Sequence, residues 1–152
     1  MRTSKVQRFV FLLMVPVLLS LWGCSRYHVE QTLKSYSHKP GFELKVINTD
    51  SISSHSEHLG MVFKYLKGVK EIYILTFNSE KGSSAENMEL RTKLKKYISS
   101  ANFETLIDVQ GETLVGLYLQ KNDKGTPEQV IFMKSGGKNS VYVWAPNTEK
   151  TD

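Results

Sequence analysis

From Phe103 onward apolar and polar residues alternate, and the alternation runs on to Ala145. A strand turns successive side chains to opposite faces, so a period of two marks strands rather than helices. Four segments carry it: Phe103 to Val109, Thr113 to Gln120, Glu128 to Lys134 and Ser140 to Ala145. Gly111, the Asn122-Asp123-Lys124-Gly125-Thr126-Pro127 stretch and Ser135-Gly136-Gly137-Lys138-Asn139 separate them. Parallel neighbours need a crossover of about a dozen residues or more, and these connections are shorter. The last third is therefore expected to form a four-stranded antiparallel meander.

Upstream the period changes. Val29, Leu33 and Tyr36, at spacings of four and three, mark one face of a first helix that Lys39-Pro40-Gly41 ends. Phe42 to Ile47 alternates, with Leu44 and Val46 on one side. Leu59, Val62, Phe63 and Leu66 line a second helix, which Gly68 stops. Glu71 to Phe77 is apolar at nearly every position, which suits a strand covered on both faces. A third helix is expected over Ala85 to Ser100, with Leu90, Leu94, Tyr97, Ile98 and Ala101 on its apolar side. Helix-strand-helix-strand-helix followed by the meander predicts an α+β, two-layer sandwich with helices over one sheet face. Residues 146–152 are polar and expected to fray.

The amino end carries a different message. Arg2, Lys5 and Arg8 precede the apolar run Phe9 to Leu21, and no acid interrupts them. That run is shorter than the ~20 residues a spanning helix needs. It stops at Gly23, directly before Cys24, so residues 1–23 read as a cleaved export signal. Leu21-Trp22-Gly23-Cys24 resembles the lipobox of bacterial lipoproteins, with an aliphatic residue three places before the cysteine and a small one next to it. The resemblance implies that Cys24 becomes the mature amino terminus and is lipidated. Residues 24–28 would then be a lipidated tether and 29–145 a single domain at a membrane. Each buried methylene contributes about 0.8 kcal/mol, so two or three acyl chains make a lasting anchor. Cys24 is the chain's single cysteine, which excludes an internal disulfide and a thiolate zinc site. Three of the 20 basic residues fall in the leader, leaving 17 against 15 acids, a net of +2. That is too small for the footprint of a nucleic-acid binder, so no nucleic-acid partner is expected.

Tyr36-Ser37, Gly41-Phe42 at the helix-to-strand turn, and Phe103-Glu104-Thr105-Leu106-Ile107-Asp108-Val109 together resemble the domain-of-unknown-function 4252 family, small lipoproteins found mainly in the Bacteroidota. The likeness covers residues 29–145. It implies an exported lipoprotein without an established activity, so it brings no functional residues with it. Surface-displayed lipoproteins of that phylum often carry an acidic cluster after the cysteine. Ser25-Arg26-Tyr27-His28-Val29-Glu30 lacks one, which points to the periplasmic face of the outer membrane.

Chemistry-bearing patterns are sparse. His55 and His58 at i,i+3 with Glu57 between them offer two nitrogens, whereas a zinc site needs four ligands, or three and water. Ser135-Gly136-Gly137-Lys138-Asn139 falls between strands and lacks the first glycine and the hydroxyl of a phosphate loop, so it reads as a hairpin turn. No Gly-x-Ser-x-Gly elbow occurs, and Glu104, Asp108 and Glu112 are scattered. No catalytic residue, metal or cofactor is expected. Arg91, Lys93, Lys95 and Lys96 form the outer side of the third helix, by default a solvated face and otherwise a contact for anionic headgroups.

The alternation in the meander carries the functional expectation. If Val115, Leu117, Leu119, Val141 and Val143 face the helices, then Leu114, Tyr118, Tyr142 and Trp144 face away, joined by Tyr73, Leu75 and Phe77. Tyr73, Phe77, Tyr118, Tyr142 and Trp144 would then form an aromatic face, and large exposed apolar patches tend to be contact sites. The expected role is a non-enzymatic module that binds another envelope protein. In the alternative, a carrier, the same rings line a cleft for a small apolar ligand or lipid. A helix lying over the rings would remove both, and period alone leaves that open.

Overall fold

A computed structural model describes residues 24–51 and 68–148. The elements are α1 (Cys24–Ser37), β1 (Phe42–Asn48), a single 3-10 turn (Thr49–Ser51), β2 (Glu71–Asn78), α2 (Ser84–Ser100), β3 (Glu104–Val109), β4 (Leu114–Lys121), β5 (Pro127–Gly136) and β6 (Asn139–Pro146). All six strands form one antiparallel sheet in the order β1-β2-β6-β5-β4-β3. The class is α+β. The last four strands are sequential neighbours, but they are part of a larger sheet, because β2 pairs with β6 and carries β1 with it. Two helices occur among the described residues, and the expected helix with Leu59, Val62, Phe63 and Leu66 lies outside them, as do His55 and His58.

Local chemistry explains the turns. Gly136 pairs with Asn139, leaving Gly137 and Lys138 as a two-residue connection, and Gly137 takes φ +59°. A positive φ at the first central position is what a type II′ hairpin asks for, and glycine adopts it without strain. At the other end of the chain, Gly41 at φ +81° turns α1 into β1 against Gly82. A Cβ on Gly82 would come within 2.3 Å of the Pro40 carbonyl oxygen. The two backbones meet there because neither glycine has a side chain.

α1 and α2 run antiparallel on one sheet face. Lys39 beyond the end of α1 pairs with Glu86 in the first turn of α2 at 2.9 Å, while His28 near the start of α1 contacts Tyr97 near the end of α2. Val29, Leu33 and Tyr36 of α1 and Leu90, Leu94, Tyr97 and Ile98 of α2 are buried, as their spacing requires. They close over Leu75, Ile131, Met133 and the aromatic residues of β2, β4 and β6. The opposite face is aliphatic apart from Phe132, and Ile72, Leu117, Leu119, Val130, Phe132, Val143 and Ala145 on it are buried too.

Two expectations are corrected here. The described helices cover the aromatic side, not the side of Val115, Leu117, Leu119, Val141 and Val143. Period two fixes which residues share a face; it does not say which face a helix covers when both are apolar. Cys24 to His28, expected as a tether, lie in α1. The tail does not fray at residues 146 and 147, and residues 149–152 lie outside the described ones. Pro146 ends β6, and Asn147 is buried, its amide donating to the Glu128 carbonyl at 2.7 Å.

Candidate functional site

The five aromatic residues expected to form a binding face do lie together, but as core. Exposure is 7% for Tyr73, 3% for Phe77, 5% for Tyr118, 1% for Tyr142 and 3% for Trp144, so none offers a ring to a partner. Phe77 packs on Phe42 with ring centres 4.7 Å apart, and Tyr73 on Trp144 at 4.9 Å. The volume that a carrier's ligand would need between helices and sheet is occupied by Val29, Leu33, Leu90, Leu94 and Tyr97. The aromatic residues hold the helical layer to the sheet.

Two hydrogen-bonded clamps, one at each end of α2, complete that attachment. At the carboxyl end, Trp144 Nε1 donates to Gln129 Oε1 at 2.6 Å. The Gln129 amide donates in turn to Tyr97 Oη at 2.9 Å and to Gln120 Oε1 at 2.5 Å. Gln120 Nε2 then reaches the Ala101 carbonyl, just past α2, at 2.6 Å. At the amino end, Tyr142 Oη donates to Asn87 Oδ1 at 2.6 Å and Asn87 Nδ2 donates to Ser140 Oγ at 3.0 Å, with Ser135 Oγ a further 3.0 Å from Ser140 Oγ. A polar group buried without a partner is costly, and here donors and acceptors are matched. Sequence reasoning passed over Gln129, Ser135 and Ser140. The available signal was a polar residue at an inward position of a strand otherwise apolar on that face.

Three of the phenols are held protonated. Burial first, then the hydrogen bond to Glu71 and the nearby Glu30 charge, push the Tyr73 phenol well above its ordinary value. Its hydroxyl lies 3.1 Å from Glu71 Oε2 and 3.4 Å from Glu30 Oε1. Burial also raises Tyr118, helped by Asp108, and it raises Tyr142 against the opposing pull of the Ser135 and Ser140 hydroxyls. In all three, burial is the largest cause of the shift.

The remaining candidates separate widely. Glu104 pairs with Lys121 at 2.6 Å, whereas Asp108 accepts from Gln110, so these acids form no shared carboxylate group. Among the described residues no cluster of three or more His, Cys, Asp or Glu could hold a metal ion. None of the described helices is long and apolar enough to cross a membrane. Of the basic cluster on α2, Lys93 is paired with Glu89 at 2.7 Å, which raises the lysine and lowers the glutamate, while Lys96 is exposed. Lys93 and Lys39 also stand over the Tyr36 ring, at 5.3 and 4.6 Å. Compared with known proteins, the chain matches no family model, no curated protein and no solved structure.

Cys24, the residue expected to carry lipid, lies at the amino end of the described chain. It is the first residue of α1, and Val29, five residues on, is 1% exposed in the core.

Proposed function

We propose that this chain is a lipid-anchored, non-catalytic protein of the cell envelope, held by Cys24 at the periplasmic face of the outer membrane and related to the domain-of-unknown-function 4252 lipoproteins. What supports the reading is the leader, in which Arg2, Lys5 and Arg8 precede the apolar run Phe9 to Leu21 and Leu21-Trp22-Gly23-Cys24 follows. A helix rises about 1.5 Å per residue, so the five steps from Cys24 to buried Val29 span only about 7 Å. Acyl chains on Cys24 would therefore hold the domain against the bilayer and not on a leash above it. With the aromatic layer spent on internal packing, what the domain offers to another envelope protein is the polar outer side of α1 and α2 and the two sheet edges.

Radiolabelled palmitate separates this from a secreted or cytosolic protein. Wild type takes up label and partitions with membranes, and Cys24→Ser does neither. Recovery of the chain from cytosol with Met1 retained and the Cys24 sulfur unmodified would overturn the proposal.

A further inference from the structure

A groove of about 380 Å³ lies between α1 and α2, floored by Tyr97. α1 contributes His28, Thr32 and Ser35 to it, and α2 contributes Lys93, Lys96 and Ser100. Cys24 lies in α1 one turn before His28. The groove therefore begins one turn from the lipid attachment point and continues away from it. Among the described residues no carboxylate lines it. Glu89 offsets Lys93 from outside at 2.7 Å, and Glu30 on α1 is engaged by Lys34 at 2.6 Å. Lys96 makes no ion pair or hydrogen bond with another described residue, so the groove's net charge is positive.

The hydroxyls refine the ligand. Thr32 donates to the His28 carbonyl at 2.7 Å, Ser35 to that of Thr32 at 2.8 Å, and Ser100 to that of Tyr97 at 2.9 Å. Their protons are committed, so what they present to a guest is acceptor lone pairs. A ligand suited to this groove carries a negative charge for the lysines and hydroxyl donors for those oxygens. The carboxyl end of α2 disfavours an anion beside Ser100, which puts the charge toward Lys96 and Lys93. A choline headgroup fails on both counts, since its cation meets Lys96 and it has no donor to give.

We propose that this groove binds the headgroup of an anionic phosphoglycerol lipid in the leaflet that carries the Cys24 anchor, orienting the domain on the membrane. The inference rests on the lipid-anchor reading, and its test scores the two separately. The lipidated full-length product is placed in nanodiscs of phosphatidylcholine, with or without phosphatidylglycerol, and its lysines are acetylated with a neutral reagent and read by mass spectrometry. Lys96 and Lys93 should react several-fold more slowly in the phosphatidylglycerol discs, while Lys70, Lys124 and Lys138 keep their rates. Lys96→Glu, shown by melting to fold, should abolish the protection of Lys93, because reversing a charge at the surface weakens such contacts roughly tenfold or more.

Equal protection in phosphatidylcholine overturns the proposal, and so does equal slowing of Lys70 and Lys124, which would mean general closeness to the surface. Inorganic phosphate giving the same protection in phosphatidylcholine discs would make the groove a simple anion site and overturn the lipid assignment. The mass of the Cys24 peptide reports the anchor independently. Lipidated protein without protection removes the groove alone, and protection by phosphatidylglycerol vesicles with an unmodified sulfur removes the anchor alone.

Discussion

Gln129 is fully buried, yet its amide group is the hub on which Trp144, Tyr97 and Gln120 converge. Gln129→Leu keeps most of the volume but strands the Trp144 N–H and removes a partner from the Tyr97 hydroxyl. Each orphaned group costs about 1–3 kcal/mol, so the urea midpoint should fall well below that of wild type. Trp144→Ala should lower it further, by the equivalent of about 3–5 kcal/mol, because a large ring leaves a cavity under α1 and α2. A Trp144→Ala protein with unchanged stability would contradict the assignment of that ring to the core. The phenols give a pH signature. Tyr73, Tyr118 and Tyr142 are all raised above an ordinary 10.0 in the folded state, so the unfolded chain gives up these protons at lower pH. In that window the folded state binds more protons than the unfolded one, and stability must fall as pH rises past about 10. Melting temperature followed from about pH 8 to about pH 11 should show the decline, and Tyr73→Phe with Tyr142→Phe should flatten it.

Elements were legible to the extent that their signals are local. The faces of α1 and α2 follow from the spacing of Val29, Leu33 and Tyr36 and of Leu90, Leu94, Tyr97 and Ile98, all of which are buried. Strand positions in the last third follow from alternation, and β2, buried on both faces over Ile72, Tyr73 and Leu75, follows from its unbroken apolar run. The side of the sheet on which α1 and α2 sit has no local signal, because an aromatic and an aliphatic face are both apolar. Pairing of β2 with β6 joins residues as far apart as Tyr73 and Trp144, and nothing near either residue announces the other. Alternation alone therefore cannot tell an aromatic layer in the core from one on the surface. The Gly41–Gly82 contact was hidden for the same reason, since it joins the α1–β1 turn to the β2–α2 loop. Gly82→Ala should cost more than about 1 kcal/mol, because the Pro40 carbonyl in its way is backbone and cannot swing aside. Gly111→Ala, with open space around it, should leave the melting temperature nearly unchanged.

At the scale of the whole molecule, the direct join between Cys24 and α1 makes a mechanical prediction. A flexible Gly-Ser insertion after Cys24 should leave palmitate incorporation intact while freeing the domain to reorient. Lys96 protection in phosphatidylglycerol discs would then weaken several-fold; undiminished protection would mean that the groove holds the headgroup without help from the join. Topology makes another. Among the described strands, β6 alone links the β1–β2 pair to the β5–β4–β3 run. Ending the chain after Lys138 should therefore abolish the cooperative thermal transition in circular dichroism, not merely lower its midpoint. The keystone of the arch is laid last. A polypeptide made amino end first must keep its earlier strands soluble until the closing one has followed, so the two halves of this sheet stay open-edged until Asn139–Pro146 is available to join them.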